Sequence, residues 1–142
     1  MLYLILLSLF IFEPPPKDLP TTNISWYGGY FNGRTTTSGE TFWEDKMSVA
    51  SPTLPMGTVV KFYNHKKWVI LVVNDGGPYK TKPNGYAKFP LEPHPTRGFD
   101  MSKRAYWELF RDLDMGVARN VRYEIIGFKP RRTMLYGTGR HD

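Results

Sequence analysis

A chain of 142 residues is sized for one domain with tails, which excludes a pair of catalytic domains; 41% apolar and 15% aromatic residues supply a core and exclude whole-chain disorder. The absence of cysteine excludes disulfides, thiolate metal sites and cysteine nucleophiles. Nineteen Lys and Arg against 13 Asp and Glu leave a charge of +6, which favours an anionic partner, while 12 Pro and 13 Gly argue against a helical bundle and for a turn-rich, small all-β barrel.

Met1 to Phe12 is an uninterrupted apolar run with no charged side chain. As a helix rising about 1.5 Å per residue it would reach about 18 Å, short of the roughly 30 Å of a bilayer core. It has the length of a signal-peptide core but lacks a basic leader and a small-x-small cleavage site. It reads as an uncleaved membrane-associated or partner-docking segment, with a cleaved signal or an element packed on the domain's own core as alternatives. Residues 13–22 form a Pro-rich linker, stiffened by Glu13-Pro14-Pro15-Pro16-Lys17. The folded domain is expected over 23–128, followed by a basic tail over 129–142 that carries Arg131, Arg132 and Arg140.

Within the domain, Ile24 to Tyr30 reads as a strand weakened or bulged at Gly28-Gly29. Thr58 to Tyr63 and Lys67 to Asn74 are β-branched and aromatic runs around Asn64-His65-Lys66, which is hairpin spacing. Ser102 can cap a helix in which Tyr106, Leu109, Phe110 and Leu113 share one face, ending near Met115-Gly116. Val121 to Gly127 makes another strand. Several short strands and one helix describe a small barrel with a helical insertion.

Nucleophilic triads lack support, because there is no G-x-S-x-G elbow and the three histidines, His65, His94 and His141, fall in a turn, a Pro-rich loop and the tail, outside metal-ligand spacing. They read as exposed loop histidines. Three carboxylates stand at strand ends or Gly-rich turns. Glu40 closes the polar stretch 35–40, Asp75 ends the strongest strand just before Gly76-Gly77-Pro78, and Asp100 sits where an extended segment meets the helix. A carboxyl held on a rigid strand end suits general acid or base work, and the same residues suit turn formation and helix capping. Trp26, Tyr27, Tyr30, Phe31, Phe42 and Trp43 cluster in sequence near Glu40, where they serve equally as sugar-stacking rings or as core.

Six blocks occur in order: Ser25-Trp26-Tyr27-Gly28, Phe31-Asn32-Gly33-Arg34-Thr35-Thr36, Thr37-Ser38-Gly39-Glu40-Thr41-Phe42, Thr53-Leu54-Pro55-Met56-Gly57-Thr58, Val72-Val73-Asn74-Asp75-Gly76-Gly77-Pro78 and Phe99-Asp100-Met101-Ser102. Over Ile24 to Gly127 the chain resembles the rare lipoprotein A family, peptidoglycan lytic transglycosylases related in fold to expansins and family 45 endoglucanases. The resemblance implies a mainly β fold, a six-stranded double-psi β-barrel with one or two short helices. It implies cleavage of the MurNAc-GlcNAc β-1,4 bond to 1,6-anhydroMurNAc ends, with Asp75, Glu40 and Asp100 as the catalytic carboxylates. Trp26, Tyr27, Arg34, Ser51, Asn74 and Gly77 are the substrate-binding candidates. No metal or cofactor is implied. The expected partner is a peptidoglycan glycan strand, with a membrane or assembly contact through Met1 to Phe12 and no nucleic acid. The expected location is exported, in the periplasm or cell envelope, or on a virion for a phage protein.

Three departures stand out. Ser51 replaces a His common in the family, Gly76 replaces an Arg, and Tyr79 to Gly98 is an insertion suited to a lid or binding loop. Ser51 and Gly76 favour the alternative of a non-catalytic, expansin-like glycan-binding or structural module of a larger assembly.

Overall fold

The computed structural model describes residues 16–130. The apolar run Met1 to Phe12, the start of the linker and the tail arginines Arg131, Arg132 and Arg140 lie outside the described residues.

Six strands form in chain order: β1 (Thr21–Tyr27), β2 (Val49–Ala50), β3 (Thr58–Asn64), β4 (Lys67–Asp75), β5 (Arg97–Ser102) and β6 (Val117–Phe128), with one helix, α1 (Lys103–Phe110), between the last two. They close into a barrel in the order β1-β5-β2-β4-β3-β6. The pairs β1/β5 and β2/β4 are parallel, and the other four are antiparallel. This is the mainly β, six-stranded double-psi barrel that the motifs imply.

Alternation along the strands fills the interior. Val60 and Phe62 of β3 and Val69, Leu71 and Val73 of β4 point inward with Ile24, Phe99, Met101 and Val121. The β3–β4 hairpin closes through His65 and Lys66, with Asn64 opposite Lys67 and His65 in the left-handed region at φ 52°. Ser102 caps α1 as expected, its hydroxyl accepting from the Ala105 amide at 3.3 Å, and Ala105, Tyr106 and Leu109 bury against the barrel.

Several boundaries differ from the sequence pattern: β1 starts at Thr21 rather than Ile24, β6 starts at Val117 rather than Val121, and the ends of α1 and β1 also move. α1 stops at Arg111, whose left-handed φ of 56° sends its amide to the Trp107 carbonyl, and does not reach Met115. The Asp112 carboxylate accepts from the Asp114 and Met115 amides at 2.9 and 3.2 Å, a local turn that competes with the helix. Leu113 still packs on the core. β1 ends at Tyr27, three residues before Tyr30, because Gly29 takes φ 54° and a single 3-10 turn follows over Gly29–Phe31. A Cβ at Gly28 would lie 2.2 Å from the Glu44 carboxylate and would have to displace it from the Gly29 amide, from which it accepts at 2.7 Å.

The segment over 79–98 is itself folded. Bridges pair Tyr79 with Pro93 and Thr81 with Ala87, and the His94 amide returns to the Pro78 carbonyl at 2.9 Å.

Candidate active site

Pairing register builds the site. Ala50 of β2 lies opposite Asp75 of β4 on one side and Asp100 of β5 on the other, and Asp100 lies opposite Ser25 of β1. Asp75 and Asp100 are thus two strand spacings apart, about 10 Å between Cα atoms, with only a methyl group between them. The alignment depends on an irregularity. β2 advances one residue from Val49 to Ala50 while β4 advances two, from Val73 to Asp75, so Asn74 is the extra residue of a bulge that turns Asp75 toward the Asp100 side.

Donors converge on Asp75. Its Oδ1 accepts from the Thr37 amide at 3.0 Å, the Thr37 hydroxyl at 3.1 Å and the Gly76 amide at 2.9 Å, and its Oδ2 accepts from the Tyr27 hydroxyl at 3.2 Å. Tyr27 is fixed by stacking on Phe42, with ring centroids 4.3 Å apart. Burial above all, then the charges of Asp75 and Asp100, push the Tyr27 phenol far above its ordinary range, so it is a neutral donor.

Asp100 is held differently. Its Oδ1 accepts from the Ser25 hydroxyl and pairs with the Arg97 guanidinium at 3.5 Å, while Arg97 also donates to Ser25 Oγ at 2.5 Å. Its side chain is only 19% exposed. Burial raises its pKa above the usual carboxylate value, against the opposing pulls of Ser25, Arg97 and His94.

Glu40 is exposed and joins the cluster through its neighbour. Its Oε2 accepts from Asn74 Nδ2 at 3.3 Å, directly beside Asp75. Asn74 is buried, and its Oδ1 has no hydrogen-bond partner among the described residues. Gly77, at φ 102°, takes the backbone turn that carries the chain away from Asp75. Ser51 is buried beside the site, its amide donating to the Asp75 carbonyl at 3.0 Å. Its hydroxyl accepts from the Thr53 and Leu54 amides at 3.3 and 3.0 Å and so fixes the turn at 51–54.

The structure does not gather every candidate. The Trp26 indole donates to the Leu113 carbonyl at 3.2 Å and its ring packs on the core, so β1 spends this residue on the barrel. Arg34 stacks its guanidinium on Tyr30 at 3.8 Å and bonds neither carboxylate. Four residues at or beside the site are not marked as site residues by the sequence pattern: Ser25, Thr37, Arg97 and Tyr79. Thr37 stood inside a recognised block, whereas nothing local marks Arg97. His94, read as an exposed loop histidine, is half-buried, and its Nδ1 accepts from the Thr96 and Arg97 amides, both at 3.2 Å. Burial and Arg97 lower its pKa, against the opposing pull of Asp100. With Arg97, Pro52, Thr53 and Leu54 it lines a cleft of about 180 Å³ that flanks Asp100. Tyr79 brings its hydroxyl to where a Gly76 side chain would start, 2.6 Å from an ideal Cβ.

Residues 21–123 match the family model described as lytic transglycolase. The endolytic peptidoglycan transglycosylase RlpA of Campylobacter jejuni is 34% identical over 106 residues, 73% of this chain and 33% of its own length. The protein of the same name from Neisseria meningitidis is 38% identical over 91 residues, 63% of this chain and 32% of its own. The probable endolytic peptidoglycan transglycosylase RlpA of Treponema pallidum is 39% identical over 103 residues, 71% and 28%. The chain therefore spans about a third of the length of these relatives. Among solved structures, Streptomyces papain inhibitor superposes with a TM-score of 0.54 at 18% identity, covering 79% of this chain and 97% of that one, which is a likeness of fold. By the extent of the family match and these identities, the chain belongs to the lytic transglycolase family of double-psi barrels.

Proposed function

We propose that the barrel cleaves peptidoglycan glycan strands as a lytic transglycosylase, with Asp100 and Asp75 as the acid and the base. The observation that carries this reading is the register that sets the two carboxylates on either side of Ala50 in opposite environments. Asp100, whose burial favours the protonated form, gives its proton to the glycosidic oxygen as the bond from C1 breaks. Asp75, surrounded by donors, takes the proton of the MurNAc 6-hydroxyl as that oxygen attacks C1 and closes the 1,6-anhydro ring. The Asp100 proton leaves on the oxygen of the departing sugar and Asp75 gains the proton of the 6-hydroxyl, so exchange with solvent resets the pair. Water is not consumed in the reaction. Glu40 tunes the pair through Asn74. The names of the relatives supply the substrate class.

The test is incubation of the full chain with purified sacculi and mass spectrometry of the released fragments. Anhydro-ended products are expected, and they should vanish in Asp75→Asn and Asp100→Asn variants that keep the wild-type melting curve. No anhydro product where the Campylobacter relative releases it would refute catalysis. One feature favours a second reading, a glycan-binding module without catalysis: Ser51 stands where the family commonly has a His, and its hydroxyl oxygen accepts from the Thr53 and Leu54 amides to fix a turn. Sacculus binding without release would select it.

A further inference from the structure

The two ends of the barrel differ in chemistry. Asp75 closes β4 at one end, and Lys67 opens it at the other, eight steps of about 3.3 Å or some 26 Å away. The Lys67 end carries an open groove of about 480 Å³. Lys66 and Lys67 from the hairpin and Arg104 and Arg111 from α1 line it, against a single acid, Glu108. Glu108 bonds both arginines, at 2.8 Å to Arg104 and 3.3 Å to Arg111, which holds the two guanidinium groups on one side of α1 with most of their N–H donors free. Neither lysine has an acidic partner among the described residues. Between the cations stand exposed apolar side chains: Trp68 at 51% exposure and Met47 at 45%, with Trp107 close by under Arg111.

We propose that this end of the barrel docks on an anionic lipid bilayer. Lys and Arg beside exposed Trp and Met is the chemistry of a headgroup interface, where cations meet phosphate and the indole sits at the polar–apolar boundary. The apolar run Met1 to Phe12 ends nine residues before Thr21, so the chain carries an apolar segment within about 30 Å of the barrel. The inference is independent of the proposed reaction.

The test uses the full chain, with large vesicles of 30% phosphatidylglycerol in phosphatidylcholine and of phosphatidylcholine alone, read by co-sedimentation. Because the apolar run contributes to both, the comparison is between variants. Each groove lysine is worth roughly fivefold in partition to the anionic vesicles, so Lys66→Gln with Lys67→Gln should weaken it about 25-fold and leave the phosphatidylcholine partition unchanged. The equal charge change Lys82→Gln with Lys88→Gln, in the 79–98 excursion, should change it by less than about threefold. Brominated acyl chains should quench Trp fluorescence, and Trp68→Phe should remove most of that quenching. Equal losses from both lysine pairs would mean net charge alone acts and would overturn the proposal, as would an unchanged anionic partition in the Lys66/Lys67 variant. Loss of duplex DNA binding in that variant with vesicle partition intact would overturn it in favour of a nucleic acid.

Discussion

Gly76 offers a quantitative test of how the site is packed. Its backbone is outside the left-handed region, so alanine is conformationally allowed there, and by reducing unfolded-state entropy alone Gly76→Ala would stabilise by about 0.4–1 kcal/mol. The added methyl, however, meets the Tyr79 hydroxyl at 2.6 Å and the Thr37 hydroxyl at 3.0 Å. Thr37 cannot yield freely, since its hydroxyl donates to Asp75 and accepts from the Gly76 amide at 3.1 Å. Overpacking of this kind costs about 1–3 kcal/mol, leaving a net loss of about 1–2 kcal/mol. In a Tyr79→Phe background the 2.6 Å contact is gone and the same substitution should cost no more than about 0.5 kcal/mol, a coupling of about 1 kcal/mol. Urea unfolding of the four proteins of the cycle measures it. Additivity within about 0.3 kcal/mol would mean that Tyr79 does not occupy the space above Gly76.

Three further outcomes are expected. Ser102→Ala should cost about 2–4 kcal/mol in urea unfolding, because it removes the α1 cap and the bonds from the Ser48 amide and to the Lys46 carbonyl in a fully buried setting. Asp100 titrates higher in the folded chain than its ordinary 3.8, so its contribution to stability is fully present below that value and is lost as pH rises toward the raised folded value; Asp100→Asn should flatten the stability profile over that window, seen in urea midpoints at stepped pH. Tyr27→Phe keeps the stack on Phe42 but removes the bond to Asp75, and should lower anhydro-product release about tenfold while changing stability by no more than about 1 kcal/mol.

What was legible in the sequence followed the range of the interactions. The β3–β4 hairpin and the Ser102 cap are local, and both stand where residue type and spacing put them. The end of α1 differs from the pattern because Leu113 keeps its place on the core after the helix has broken at Arg111, so the apolar period outlasts the helix. β2, two residues long, has no pattern to read, and β5 is defined only by its pairing with β1 and β2. At the site, the three carboxylates stand out in the sequence because they lie at turns and strand ends. The roles of the aromatics were not separable: Tyr27 turns its phenol to Asp75, whereas its neighbour Trp26 turns to Leu113. Arg97 and His94 reach Asp100 because the 79–98 excursion folds back on Pro78, a path with no local signature.

The bulge at Asn74 aligns two of the candidate carboxylates, and its extra residue carries a buried acceptor unpaired among the described residues. A regular β4 would advance one residue for each residue of β2, and the position opposite Ala50 would fall to residue 74. Because strand side chains alternate, that slip would turn Asp75 to the other face, away from Asp100. The extra residue restores the alignment, and the Asn74 side chain is itself buried, with Nδ2 on Glu40 and Oδ1 without a partner among the described residues. An unsatisfied buried acceptor costs about 1–3 kcal/mol. An apolar side chain at 74 would avoid that cost and would also free Glu40 from the bulge. Among the described residues, the one side-chain bond the amide makes goes to Glu40, which ties the third carboxylate to the same distortion that aligns the other two.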